Sequence, residues 1–282
     1  MTLAGNLVGA LFALTSALVW GAGDFTGGYA TRKSNQYVAL LVSALSGLMV
    51  VILAALVWRE SFPSPRGMLW AALGGISGAL GIAAFYKALS LGHTATVAPT
   101  AAVIGAALPV AVGAVIIGLP SWRQVLGFGM ALAGIWLVSA GPAKGARLSR
   151  QGFVLTCCAG MGFGGFFVFL GLVDRGKIFT PLIIARTMTL GVGLLLVLVQ
   201  RLRLPSIAAS GWAMLAGVLD AGGNLFYVLA KQFTRLDVAA VLSSFYPAST
   251  VILAGLILRE RVSRYQWAGV IFCLGAIGLI SA

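Results

Sequence analysis

Asp220, Asn224 and Tyr227 stand at i, i+4 and i+7 within an apolar stretch, so on a helix they share one face. A carboxylate, a carboxamide and a phenol in one row can hold a small polar molecule by charge and hydrogen bonds, or can bond a neighbouring helix as a seam. Ser16, Trp20 and Asp24 form a second row at the same spacing. There a carboxylate beside an indole suits a cationic group, unless Asp24 is simply an exposed group near a helix end. Arg186 lies about five residues into another apolar stretch. It either snorkels to an interface or pairs with Asp220 or with a bound carboxylate. Lys87 and His93 bracket a turn and read as solvated.

Aromatic residues could wall such a site. Phe163, Phe166, Phe167 and Phe169 crowd one stretch, and Tyr86, Phe245 and Tyr246 lie on two others. Most rings of this kind pack or anchor helices. A few facing inward beside Trp20 would make an apolar chamber for a small amphipathic molecule, with hydroxyls from Thr96, Thr100, Ser243 and Ser244. The expected binding set is Trp20, Asp24, Tyr86, Phe163, Arg186, Asp220, Asn224, Tyr227, Ser244 and Tyr246. One histidine and three cysteines, the neighbours Cys157 and Cys158 pointing apart on a helix and Cys273 far along the chain, imply neither a metal centre nor a disulfide framework, and no cofactor is expected.

The elements that must position these residues are membrane helices. Hydrophobic residues make up 60% of the 282, charged residues only 9%, and mean hydropathy is +1.03, far outside the range of soluble domains. Stretches able to span about 30 Å of hydrocarbon run near 4–26, 37–58, 68–88, 95–118, 122–140, 151–172, 179–199, 209–230, 237–258 and 265–281. Ten spans are expected, in an all-α integral membrane fold, and the first is too long for a cleaved signal.

Residues 1–140 can be laid over 143–282 at an offset of 142 positions without a gap. Trp70 meets Trp212, Gly75 meets Gly217, Gly81 meets Gly223, and Ser121-x-x-Gln124-x-x-Gly127 meets Ser263-x-x-Gln266-x-x-Gly269. The expected domains are therefore two five-helix repeats, 1–141 and 142–282. Five is odd, so the copies should enter the bilayer in opposite orientation, around a site at mid-depth. Gly78, Ile82 and Phe85 occupy the places of Asp220, Asn224 and Tyr227, so the polar row is peculiar to the second copy.

The net charge of +13 is scattered beside the spans rather than gathered on one face, which points to topology and not to nucleic acid. With both termini outside, eleven Lys and Arg fall on the cytoplasmic side and seven on the other, which favours external, periplasmic termini. Small residues at helix-packing spacing, such as Gly74-x-x-x-Gly78 and Gly217-x-x-x-Ala221, let helices approach closely. Pro99 and Pro109 in the fourth span and Pro247 in the ninth interrupt the helical ladder, as static kinks or as hinges.

Together these features resemble the drug/metabolite transporter superfamily, in particular its ten-span EamA-type members. The most specific segment is Tyr246-Pro247 followed by Leu258-Arg259-Glu260-Arg261-Val262-Ser263-x-x-Gln266-x-x-Gly269. Trp20-Gly21 and Ala185-Arg186 are also similar to family patterns. The first copy departs, with Gly118-Leu119-Pro120 in place of Arg-Glu-Arg. The resemblance implies export of small metabolites across a bacterial inner membrane, and the branch it looks most like handles neutral and aromatic amino acids. The implied partners are an amino-acid substrate and the lipid bilayer, and the implied state is a monomer or weak dimer. A multidrug or quaternary-cation exporter is the other reading, with Asp24 beside Trp20 as its cation site. Uniport and proton antiport both remain open, with Asp24 and Asp220 as the carboxylates at suitable depth.

Overall fold

The computed structural model describes residues 3–31, 34–90, 94–139, 149–203, 210–257 and 263–281. Eleven α-helices run through them: α1 (Leu3–Thr31), α2 (Gln36–Trp58), α3 (Pro65–Ser90), α4 (Thr94–Ile116), α5 (Trp122–Ser139), α6 (Arg150–Gly171), α7 (Phe179–Val199), α8 (Gly211–Phe233), α9 (Leu236–Ser243), α10 (Tyr246–Ile257) and α11 (Arg264–Ser281). Six helices, α1, α2, α3, α6, α7 and α8, are long and apolar enough to cross a membrane, and shorter apolar stretches lie in α4 and α11. His93 and the segment 258–262, with its Arg-Glu-Arg turn, lie outside the described residues.

One expected span is two helices. The ninth breaks between Ser243 and Tyr246 because Pro247 has no N–H for the Ser243 carbonyl and its ring crowds that turn. Pro247 sits instead in the first turn of α10, where the missing donor costs nothing. Ser244 closes α9 by donating its N–H and its hydroxyl to the Ala240 carbonyl, at 2.9 and 2.7 Å. In the other half α4 continues unbroken through Pro99 and Pro109.

Sequence signals set the helix starts. Ser121 with Gln124, and Ser263 with Gln266, each form a reciprocal capping box of two bonds between 2.9 and 3.3 Å. Ser64 caps α3 by accepting from Gly67, with Pro65 at the first helical position. Arg59 and Arg201, also 142 positions apart, both end their helices in the left-handed region, at φ of 51° and 50°.

The helices meet in reciprocal pairs. α1 lies on α8 and α3 on α6; α2 crosses α8 as α3 crosses α7; α5 lies on α11. Gly75 is pressed on the Ala185 backbone, while Gly217 is pressed on the Ser43 backbone. Gly81 approaches Gly162 and Gly223 approaches the Trp20 ring; Gly127 meets Ile280 and Gly269 meets Val138. In each case the partners of the second contact are those of the first, shifted by 142 in opposite senses.

A methyl group at Gly75 or Gly217 would strike backbone, which cannot swing aside. Gly75→Ala and Gly217→Ala should therefore each lower stability by about 1–3 kcal/mol, and by similar amounts, in denaturant unfolding of the purified protein. At Gly191, where an added methyl meets nothing within 4 Å, the same change should be nearly neutral.

Polar bonds gather the α2–α3, α4–α5, α6–α7 and α8–α9 linkers at one end of the bundle. Glu60 accepts from the N–H groups of Ile178 and Thr180 and from the Thr180 hydroxyl, at 2.7 to 3.1 Å, so its negative charge sits on the N-terminus of α7. Asp174 accepts from Ser64 N–H at 2.7 Å. Arg235 donates to the Gly118 carbonyl at 2.9 Å and Gln232 accepts from Gly176 at 3.0 Å.

Hydrogen bonding from Ser64, hydroxyl first and then backbone N–H, holds the Asp174 carboxyl below its ordinary value of 3.8. A lowered carboxyl adds stability that is full above the unfolded-state value and is lost as pH falls through the folded one. The Asp174 contribution to the contacts that latch this end should therefore be insensitive to pH between neutrality and about 5. Melting curves of wild type and Asp174→Asn should keep a constant separation over that range and converge only in stronger acid.

Candidate functional site

The inner faces of α1 and α8 change character part-way along. On α1, Leu7, Leu11 and Leu18 are exposed on one side, whereas Ala13, Ser16, Ala17 and Trp20 are buried on the other. Asp24 and Gly28 continue the buried side at helical spacing, yet both are exposed. On α8, Asp220 shares a face with buried Ala213, Ala216, Gly217, Asn224 and Tyr227, and its side chain is nonetheless 44% exposed. Exposure on the packed side of a helix marks a cavity rather than a lipid-facing surface. α1 and α8 pack closely here, since a methyl group on Gly23 would lie 3.4 Å from Asp220 N. Asp24 is within Coulombic range of Asp220 and of Tyr246.

Arg186 supplies the counter-charge. Its Nη2 lies 2.5 Å from Asp220 Oδ2, with the arginine side chain only 5% exposed. The contact is an ion pair outside regular hydrogen-bond geometry, since the same Nη2 has no hydrogen bond of good alignment among the described residues. Gly47 on α2 makes the room: a methyl group there would fall 3.2 Å from the guanidinium. The cavity thus presents Asp24 and half of Asp220, with Arg186 held behind Asp220.

Above this polar floor, toward the latched end, stands a block of rings. Trp20 stacks near Tyr227 at 6.2 Å between centroids and meets Phe166, Phe167 and Tyr246 edge-on at 5.5 to 6.4 Å. Tyr227 is fully buried and donates its hydroxyl to the Phe167 carbonyl at 2.5 Å. Ser16 donates to the Gly223 carbonyl at 2.8 Å. These bonds tie α1, α6 and α8 together, so the block closes the cavity toward the latched end and leaves Asp24 open toward the other.

Residues 7–140 and again 150–282 match the EamA-like transporter family. The chain belongs to the EamA-like transporter family. It is accordingly a multi-pass membrane protein of the drug/metabolite transporter type. An uncharacterized solute carrier family 35 member of Schizosaccharomyces pombe is 35% identical over 71 residues, which are 25% of this chain and 14% of that protein. The match therefore spans a small part of that relative. A solved crystal structure superposes with a TM-score of 0.73 over 96% of this chain and 95% of that one, at 20% identity, which shows the shared fold alone.

Within this EamA-like fold, Trp20, Asp24, Arg186, Asp220, Asn224, Tyr227 and Tyr246 come together around the cavity and its roof. Tyr227 acts there as an interhelix bond and not as an open wall, and Asn224 is buried beside it. Phe163 lies instead against Phe85, at 5.8 Å, and beside Gly81 and Gly105. Phe166 and Phe167 are the α6 rings that reach Trp20. Ser244 is buried and bonded within its own helix. The side chains of Tyr86 and Pro99 lie outside the description, and Pro109 is buried in α4. Two features were not foreseen. Glu60 caps α7 from a distant linker, for which no local pattern exists. Lys231, buried with Nζ on the Val173 carbonyl at 2.7 Å, extends the Asp220, Asn224 and Tyr227 row by one more turn, a spacing that could have revealed it.

Proposed function

We propose that this chain is a secondary transporter that exports neutral and aromatic amino acids, or related small metabolites, from the bacterial cytoplasm by alternating access. The observation that carries this reading is the pair of carboxylates exposed on the packed faces of α1 and α8, with Arg186 behind one of them and Trp20 and Tyr246 alongside. Asp24 and the exposed edge of Asp220 bind the substrate's ammonium, Arg186 fixes Asp220 from behind, and the rings receive the side chain.

The two halves, 1–141 and 142–282, act as inverted repeats that rock about a two-fold axis in the membrane plane. Support comes from the reciprocal contacts, because pairs that exchange partners on shifting by 142 are the mark of a two-fold axis, and an odd number of spans per half turns that axis into the membrane. With periplasmic termini, the latched end faces the periplasm and the open end the cytoplasm of an inner-membrane protein. The break before Pro247 is the hinge of the second half, and Pro99 and Pro109 soften the matching helix of the first.

A second reading rests on the same cavity. Two accessible carboxylates against one screened arginine leave the site negative, which also suits a quaternary cation between Trp20 and Asp24. Protein-dependent counterflow of radiolabelled phenylalanine or threonine in proteoliposomes, uncompeted by quaternary ammonium compounds, supports the amino-acid reading. Counterflow of the cation alone replaces it, and counterflow of neither removes both.

A further inference from the structure

A second cavity, of about 240 Å³, lies at the latched end, away from the central site, among the end of α4, the α6–α7 linker and the α8–α9 turn. Its polar wall is basic: Arg175, Lys231 and Arg235 all line it. The two nearby carboxylates offset part of this charge, Asp237 acting on Arg235 and Asp174 on Lys231, and leave an excess of one positive charge. Asp237 is fully buried and is engaged by Arg235 at 2.8 Å, and Asp174 is turned to Ser64. Arg175 and Lys231 stand within Coulombic range of each other, so an anion between them is attracted by both. The Lys231 ammonium has three donors, of which the Val173 carbonyl takes one.

The remaining wall is apolar and runs onto the outer surface. Ile116 and Ile117 line the cavity and, with Val115 and Leu119, are exposed at the end of α4 and in the linker that follows it, Val115 at 86%. In a membrane protein apolar residues exposed at a helix end lie at the boundary between acyl chains and headgroups, so the pocket sits at the level of the headgroups.

We propose that this cavity binds the phosphate headgroup of an anionic phospholipid, with the phosphate between Arg175 and Lys231 and an acyl chain along Ile116 and Ile117. Basic pockets between helix ends suit such headgroups. Because the site joins the α6–α7 linker to the α8–α9 turn, a bound lipid braces the latched end.

The test is native mass spectrometry of the full chain released from vesicles holding equal amounts of phosphatidylglycerol and phosphatidylcholine with the same acyl chains. One phosphatidylglycerol should be retained in preference, and Arg175→Gln, at an exposed linker position, should cut that preference about fivefold. Ile117→Trp, which fills the cavity without changing charge, should reduce retention as well. Equal retention of the two lipids overturns the proposal, as does a preference that survives both substitutions. Displacement of the lipid by excess inorganic phosphate also overturns it, since the cavity would then be a site for free anions.

Discussion

Asp220→Asn is expected to cost about 3–5 kcal/mol of stability, the range for removing one partner of a buried ion pair, and to abolish transport. The asymmetry of the pair decides the size. Arg186 is 5% exposed and Asp220 44% exposed, so losing the aspartate strands an arginine that water does not reach. Losing the arginine leaves a carboxylate that the cavity can hydrate, so Arg186→Met should cost only about 1–2 kcal/mol. The double variant should recover most of the Asp220→Asn loss in denaturant unfolding while staying inactive in counterflow. If Arg186→Met is the more damaging change, Arg186 is not the buried member of the pair and Asp220 does not form the cavity floor.

Asp24→Asn is the second large effect. An exposed carboxylate that binds an ammonium through a charge-assisted hydrogen bond contributes about 1.5–3 kcal/mol, so half-saturation for phenylalanine should rise by about tenfold to a hundredfold. Stability should not fall, since Asp24 has no close cationic partner among the described residues and stands within repelling range of Asp220. Competition by 3-phenylpropionate, an anion that lacks the ammonium, should be weak in wild type and no weaker in the variant, where one repelling carboxylate is gone. Equal weakening of both ligands would mean that Asp24 shapes the cavity and does not contact the amino group.

Much of the fold was legible in the residues. The hydrophobic runs located the helices, and the offset of 142 paired Ser121 and Gln124 with Ser263 and Gln266, which the structure shows as matched capping boxes because caps depend on a few local residues. The break in the ninth span was less legible. Pro247 announced an interruption, but Pro99 and Pro109 announced one equally and α4 runs on. Whether a proline bends or ends a helix depends on what satisfies the freed carbonyl, which is a tertiary matter.

Legibility fell further at the site. Spacing put Asp220, Asn224 and Tyr227 on one face, yet that face passes from open cavity at Asp220 to closed seam at Tyr227 as α6 comes over it. Helical periodicity fixes direction around the axis and says nothing of what packs at each height. For the same reason Phe163 and Phe166 were interchangeable in the sequence, although only Phe166 and its neighbour Phe167 reach Trp20.

The rocking mechanism requires two halves that cross the membrane in opposite senses around the cavity, and labelling of engineered cysteines tests this most directly. Ser61 and Arg203 are equivalent positions, 142 residues apart, in the α2–α3 and α7–α8 linkers. With Cys157, Cys158 and Cys273 replaced by serine, Ser61→Cys should react with an impermeant maleimide from one side of the membrane and Arg203→Cys only from the other. Labelling of both from the same side would contradict the inverted arrangement and the rocking mechanism built on it.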